Sequence, residues 1–209
     1  MKASGTGTGT GGDRPAGTKD SSHRLFIAVE LPGELRNVLK DVQQELRPLV
    51  PGARWTRPES MHITVKFLGS VPSSSLEDLL HTLGDAVFGH PSSELTLDSL
   101  GGAPGLKRPR VIWLEGAAPV DLLQLKARID SRFQTLGFTP ETRPFRPHVT
   151  LARLDPRRFQ PPAPPVLSDT STEQLRGRPL SVSTLAVMES IPQKGGVRYE
   201  VLRHFRLAT

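Results

Sequence analysis

The fold is decided by a segment that the chain contains twice, first as Arg57-Pro58-Glu59-Ser60-Met61-His62-Ile63-Thr64-Val65-Lys66-Phe67-Leu68 and then as Arg143-Pro144-Phe145-Arg146-Pro147-His148-Val149-Thr150-Leu151-Ala152-Arg153-Leu154. The two copies are 86 positions apart, and Arg, Pro, His, Thr and Leu residues coincide between them. A structural unit that cannot bury a face alone packs against its repeat. The repeat therefore predicts a domain of two lobes.

Each copy places a histidine and a threonine two positions apart on a predicted strand. Because successive side chains of a strand point to opposite faces, His62 and Thr64 share one face, and so do His148 and Thr150. If a pseudo-two-fold axis relates the lobes, the two histidines meet across a groove, each beside a hydroxyl. The same alternation predicts that Lys66 lies on the groove face, where it reaches water or holds phosphate.

Hydrophobic patterns predict that strands and helices alternate around the repeat. Strands are expected at 25–29, 62–68, 94–100, 111–115, 148–153, 180–189 and 197–206. Apolar stripes at helical spacing predict helices over 35–49, 76–87 and 120–136. In the strand at 62–68, strict alternation places Ile63, Val65 and Phe67 on the core face.

Two segments have compositions that do not suit a packed core. Residues 1–22 combine Gly, Ser and Thr, so they are predicted to form a disordered tail that lacks the apolar stretch of a secretory signal. Residues 23–209 are predicted to form the folded domain. Within it, 155–168 contains five prolines and is predicted to be an extended surface linker.

The composition excludes several kinds of chemistry. The chain has no cysteine, so disulfides, Cys-ligated zinc, iron–sulfur clusters and a thiol nucleophile are excluded, and a cytoplasmic location is predicted. Its apolar runs are far shorter than the roughly 18 residues of a membrane span. The formal net charge of +6 favours an anionic partner such as nucleic acid, a nucleotide or a phosphate ester, with solubility alone as the alternative.

Two opposed imidazoles suit displacement at phosphorus, because one can take a proton from water while the other protonates the leaving oxygen. Each neighbouring threonine hydroxyl can donate to a phosphate oxygen, and no metal is required. Arg143 and Arg146 precede the second motif and can bind phosphate or pair with nearby carboxylates. Trp55, Phe145 and Tyr199 are assigned to core packing, with stacking on a base as the alternative.

The paired motifs His62-Ile63-Thr64-Val65 and His148-Val149-Thr150-Leu151 resemble those of the two-histidine (2H) phosphoesterase superfamily. Flanking segments extend the likeness to its RNA 2′,3′-cyclic phosphodiesterase family, also called the 2′-5′ RNA ligase family. These segments are Arg24-Leu25-Phe26-Ile27-Ala28, Arg110-Val111-Ile112-Trp113-Leu114 and Arg143-Pro144-Phe145-Arg146-Pro147-His148. The resemblance covers nearly the whole chain from residue 24 onward.

The resemblance implies an α+β, bilobal fold with pseudo-two-fold symmetry, in which two antiparallel sheets carry helices on the outside and enclose a central groove. It implies a monomer that hydrolyses 2′,3′-cyclic phosphates of RNA ends or nucleotides to 2′-phosphates without metal or cofactor, and in some members the reverse 2′-5′ ligation. His62 is then the proton donor and His148 the proton acceptor. The substrate-binding residues are then Thr64, Thr150, Arg143 and Arg146.

Two other functions compete with this interpretation. A metal hydrolase is disfavoured because the chain has no H-E-x-x-H or H-x-H motif and no carboxylate within the His-Thr units. A non-catalytic module that binds RNA or a nucleotide in the same basic groove stays open. Catalysis is favoured over it because binding alone needs positive charge but not two titratable groups.

Overall fold

A computed structural model describes residues 21–155, 157, 163–194 and 196–209. Most of the predicted tail, 1–20, and residues 156 and 158–162 of the predicted linker lie outside the described residues. Ser22 already belongs to the first strand. Within the described ranges, no helix is long and apolar enough to cross a membrane.

The described residues form strands and helices in mixed order. The strands are β1 (Ser22–Glu30), β2 (Arg54–Trp55), β3 (His62–Pro72), β4 (Ser93–Leu95), β5 (Ser99–Ala103), β6 (Val111–Glu115), β7 (His148–Arg153), β8 (Leu180–Val182), β9 (Thr184–Gln193) and β10 (Gly196–Arg206). The helices are α1 (Gly33–Leu46), α2 (Leu76–Val87), α3 (Val120–Gln134) and α4 (Asp169–Arg176).

Several predicted boundaries differ from these. The strand expected at 94–100 is divided into β4 and β5, because β4 pairs with β8 in a small separate sheet while β5 pairs with β6. The strand expected at 180–189 is divided into β8 and β9 for the same reason. Helix α4 was not predicted. It begins where the Ser168 hydroxyl accepts a hydrogen bond from the Ser171 backbone N–H.

The strands form one eight-stranded and one two-stranded sheet, and every pairing between them is antiparallel. The large sheet runs β10-β9-β1-β3-β7-β6-β5, with β2 also paired to β7. Its two halves join where Ile63 of β3 pairs with Val149 of β7. These two residues are equivalent in the repeat, so a local two-fold axis passes through their pair. The predicted α+β, two-lobed fold with two antiparallel sheets is confirmed.

The helices bury their predicted stripes against the large sheet and against one another. In α1, Leu35, Leu39 and Leu46 are almost completely buried, and α3 contributes Ile129 and Phe133 in the same way. Burial of such side chains contributes roughly 1.5–3 kcal/mol each. Because one face of the sheet is covered in this way, the opposite face near the junction of the lobes is left to form a site.

An extra residue interrupts the pairing of β3 with β1. Ile27 lies opposite Lys66 and Ala28 lies opposite Thr64, so Val65 has no partner of its own. Such a bulge makes two consecutive side chains share a face and reverses the alternation beyond them. Val65 and Lys66 are therefore both buried, whereas Phe67 is 70% exposed on the other face. The prediction that Phe67 faces the core is wrong for this reason.

The second lobe has the same bulge in β7. Ile112 of β6 lies opposite Ala152 and Trp113 lies opposite Thr150, which leaves Leu151 without a partner. The Leu151 carbonyl instead accepts hydrogen bonds from the buried Gln43 side chain, at 2.9 Å, and from the Thr56 backbone N–H, also at 2.9 Å.

The bulge in β3 sends Lys66 into the core, contrary to the prediction of a groove lysine. Its side chain is 1% exposed, and its Nζ donates to Oδ1 of Asp130 in α3 at 2.6 Å. Lys126 donates to the other oxygen of Asp130 at 2.5 Å. Burial acts to raise the pKa of Asp130, but the hydrogen bonds from Lys126 and Lys66 outweigh it and hold the pKa below its usual value. Pairing is required because an isolated buried charge is very costly.

Replacement of Asp130 by Asn should destabilise the protein, because it leaves the buried ammonium group of Lys66 without its carboxylate partner and that of Lys126 with only Glu141, whose carboxylate lies 4.0 Å away. We expect the free energy of unfolding, measured with urea at neutral pH, to fall by about 3–5 kcal/mol. Since the pKa of Asp130 is lowered by folding, this stabilisation is present above the pKa of an unfolded aspartate and is lost as the pH falls through the folded pKa.

The matched control is Asp85→Asn, which removes the exposed pair of His81 and Asp85 and should change stability by less than about 1 kcal/mol. Equal stability of Asp130→Asn and the wild type would show that the buried lysines do not depend on this carboxylate.

Candidate active site

The four residues of the paired motifs line one cavity of about 400 Å³, here called the histidine cavity. The pairing of Ile63 with Val149, here called the junction pair, sets the register of the two strands. It places His62 across from Thr150, and Thr64 across from His148. The two histidines are then diagonal neighbours on one face, a relation that puts strand positions roughly 7–8 Å apart. Side chains that extend from such positions can contact a single phosphate from opposite sides.

Both imidazoles are oriented by the same backbone contact. Nδ1 of His62 is 2.9 Å from the Ser60 carbonyl oxygen, and Nδ1 of His148 is 2.8 Å from the Arg146 carbonyl oxygen. A carbonyl can only accept, so Nδ1 carries the proton in each ring. Each Nε2 is left as the nitrogen available to a ligand. The equivalent carbonyls come from equivalent positions of the repeat, two residues before each histidine.

The surroundings of the two imidazoles differ. The ring centroid of His62 lies 4.8 Å from that of Phe26 and 5.0 Å from that of Tyr199. Burial lowers the pKa of His62, the hydrogen bond to Ser60 opposes this effect, and the positive charge of His148 lowers the pKa further. His148 lies against Trp113, with ring centroids 5.3 Å apart. His62 is thus held toward its neutral form in the absence of a ligand.

The predicted arginines are placed beside the histidine cavity and not in its wall. Arg143 and Arg146 line a neighbouring hollow of about 270 Å³, which shares Thr64 and His148 with the cavity and also contains Glu141. The backbone of Arg146 orients His148, as described above.

Sequence reasoning missed the arginines that do line the histidine cavity, Arg24 and Arg153. Arg153 is repeat-equivalent to Phe67, which lines the same cavity. The bulges turn both side chains to the cavity face. The repeat already showed that Arg153 and Phe67 are equivalent, but strict alternation assigned both positions to the core face. Arg24 lies on the strand next to β3, a position that depends on sheet order.

The aromatic residues Trp55, Phe145 and Tyr199 all pack against buried clusters, as predicted. Tyr199 also forms part of the wall of the histidine cavity. Within the described ranges, no group of three or more His, Asp or Glu side chains is placed to hold a metal ion.

Comparison with known proteins agrees with this architecture. The family described as LigT like Phosphoesterase matches residues 29–113 and again 115–199, and each match contains one of the two His-Thr motifs. The duplicated fold and paired His-Thr motifs are those of a 2H phosphoesterase, and the chain belongs to this LigT-like family.

Similar proteins carry a more particular name. An RNA 2′,3′-cyclic phosphodiesterase of Thermus thermophilus is 32% identical over 196 residues, which cover 88% of this chain and 90% of that protein. One of Methanothermobacter thermautotrophicus is 27% identical over 184 residues, which cover 88% of this chain and 98% of that protein. The crystal structure of Escherichia coli LigT complexed with 3′-AMP is 26% identical, with a TM-score of 0.71, and the match covers 90% of this chain and 100% of LigT.

The lowered pKa of His62 can be measured by NMR titration of the histidine ring protons. We expect a midpoint for His62 below the ordinary value of about 6.5, because burial and the charge of His148 both disfavour the imidazolium. In His148→Gln the neighbouring charge is absent, so the midpoint for His62 should rise. His81→Gln, a change at an exposed residue of α2, should leave the titration midpoint of His62 unchanged. A midpoint at or above the ordinary value in the wild type would contradict this description.

Proposed function

We propose that this protein hydrolyses 2′,3′-cyclic phosphates of RNA ends or nucleosides to 2′-phosphates, with His62 and His148 as an acid–base pair and without a metal ion. The observation that carries the proposal is the junction pair of Ile63 and Val149, which brings two His-Thr motifs to one face and one cavity. The names of the similar proteins support the same substrate class.

Hydrolysis requires one bond to form at phosphorus and one to break. Nε2 of His148 takes a proton from a water molecule, and the water oxygen attacks phosphorus. The bond from phosphorus to O3′ breaks, and the proton of His62 passes to O3′. The product is a 2′-phosphate with a free 3′-hydroxyl. If the 5′-hydroxyl of another strand replaces water as the nucleophile, the same groups form a 2′-5′ linkage.

The remaining polar groups stabilise the charge that develops on phosphate. Thr64 and Thr150 donate hydrogen bonds to the non-bridging oxygens, and Arg24 and Arg153 supply positive charge from the wall of the cavity. The anionic substrate also acts on His62. Although burial lowers its pKa in the free protein, a phosphate beside Nε2 favours the protonated form that a proton donor needs.

Arg143 and Arg146 keep the substrate role that the resemblance implies, from the hollow next to His148. Phe67 offers an exposed ring in the wall of the histidine cavity, with its centroid 6.4 Å from that of Phe26. An exposed aromatic ring of this kind suits stacking with a nucleobase. We therefore assign Phe67 as the platform for the terminal base.

The proposal is tested by hydrolysis of adenosine 2′,3′-cyclic phosphate in the presence of EDTA. We expect turnover that EDTA does not reduce, and a loss of at least about 10²-fold in kcat for His62→Ala and for His148→Ala, because each removes a proton-transfer group. His81→Ala, on the exposed face of α2, is the control and should retain full activity.

Two outcomes would favour the other functions. Activity that disappears with EDTA and returns with a divalent cation would support a metal hydrolase. Binding of the nucleotide without turnover by the wild type would support a non-catalytic binding module.

The separate roles of the histidines are tested with a substrate whose leaving group needs no protonation, such as a 4-nitrophenyl phosphodiester. We expect this substrate to restore much of the rate to His62→Ala, because the missing proton is no longer required. It should not restore the rate to His148→Ala, which still lacks the base. The reverse pattern would mean that His148 is the proton donor.

A further inference from the structure

A second hollow, of about 500 Å³, opens directly beside the histidine cavity. The two share a wall that consists of Thr56, Ser60, Arg153 and Tyr199. Arg54 and Arg57 complete its basic side, and we call it the arginine hollow. Because the wall is shared, a ligand bound at the histidines can continue into the arginine hollow without leaving the surface.

The arginine hollow concentrates positive charge that the protein does not neutralise. Arg54, Arg57 and Arg153 are all exposed, and none forms an ion pair within the part of the chain that the structure describes. Arg54 of β2 lies directly opposite Arg153 of β7. Like charges at directly opposed strand positions destabilise a sheet. An anionic ligand that binds between them would relieve this repulsion.

The corresponding flank of the other lobe has a different character. There the position of Arg153 is taken by Phe67, and in the hollow beside His148 the carboxylates of Glu115 and Glu141 offset the charges of Arg143 and Arg146. The net positive flank is therefore the one next to Arg153. A bound chain of phosphates has one preferred way to leave the histidine cavity, toward Arg54 and Arg57.

We propose that the arginine hollow binds the phosphodiester backbone of the nucleotides that precede the terminal one in an RNA strand. The inference rests on the proposed function, since a 2′,3′-cyclic phosphate closes the 3′ end and the strand continues only toward its 5′ side. The terminal phosphate lies between the histidines, its base lies on Phe67, and the preceding phosphates contact Arg153, Arg57 and Arg54. The protein then prefers oligonucleotide ends to cyclic mononucleotides.

The test compares an oligoribonucleotide that ends in a 2′,3′-cyclic phosphate with adenosine 2′,3′-cyclic phosphate. For the wild type we expect a higher kcat/KM with the oligonucleotide. In the double variant Arg54→Gln, Arg57→Gln, the ratio of the two kcat/KM values should fall about tenfold or more, because charge-assisted hydrogen bonds to phosphate are removed. Arg153 is left intact because it also lines the histidine cavity.

Salt dependence supplies a second readout. The slope of log kcat/KM against log salt concentration should become less steep by roughly 0.7 for each phosphate that an arginine no longer neutralises, for the oligonucleotide alone. The control is the paired substitution Lys40→Gln, Arg132→Gln, which removes two positive charges at exposed positions of α1 and α3 and should leave the ratio and the slope unchanged. Thermal unfolding of the double variant, expected at or slightly above the wild-type temperature because Arg54→Gln relieves the repulsion with Arg153, shows that both arginines can be replaced without loss of the fold.

The outcomes separate this inference from the proposed function. Equal kcat/KM for both substrates in the wild type, or an equal decrease for both in the double variant, would overturn the inference while hydrolysis itself stands. If neither substrate were hydrolysed, the proposed function would be wrong, and fluorescence anisotropy with the same oligonucleotide ending in a 3′-phosphate would still decide the inference. If the double variant lost affinity for a free dinucleotide, probed with NADP⁺, but not for the oligonucleotide, a dinucleotide and not RNA would be the occupant.

Discussion

The antiparallel pair of Ile63 and Val149 is the constraint on which the remainder of the structure depends. Because these residues are equivalent in the repeat, their pairing creates the local two-fold axis and fixes how the lobes meet. It also places each histidine across from the threonine of the other lobe. Both side chains of the pair are completely buried, and a slip of one residue would turn the histidine of one strand to the opposite face.

The two halves of the histidine cavity are not symmetric at every position. Phe67 and Arg153 occupy equivalent places in the two lobes, yet one offers an aromatic ring and the other a guanidinium. His62 is enclosed by aromatic rings, and burial lowers its pKa. A symmetric site would bind a phosphate in either orientation. In the proposed complex, these differences would give a bound nucleotide one orientation, with its base on Phe67 and its preceding phosphates toward Arg153.

The sequence predicted the parts of the site that depend on local periodicity and on repetition. His62, Thr64, His148 and Thr150 precede the bulges, so simple alternation placed them on the correct face. Beyond the bulges the same rule failed for Lys66. A bulge arises from pairing with a strand that is distant in the sequence, and no local pattern records it. The basic flank depends in the same way on the pairing of β2 with β7, two strands almost 100 positions apart in the sequence.

The central claim is that the two histidines act together on one phosphate. It is tested most directly by ¹⁵N NMR of both imidazoles during titration with adenosine 2′-phosphate, the expected product. We expect both Nε2 resonances to shift with the same dissociation constant and to saturate at one equivalent, while both Nδ1 nitrogens keep their protons. A shift of one histidine alone, or saturation of the two at different concentrations, would contradict it.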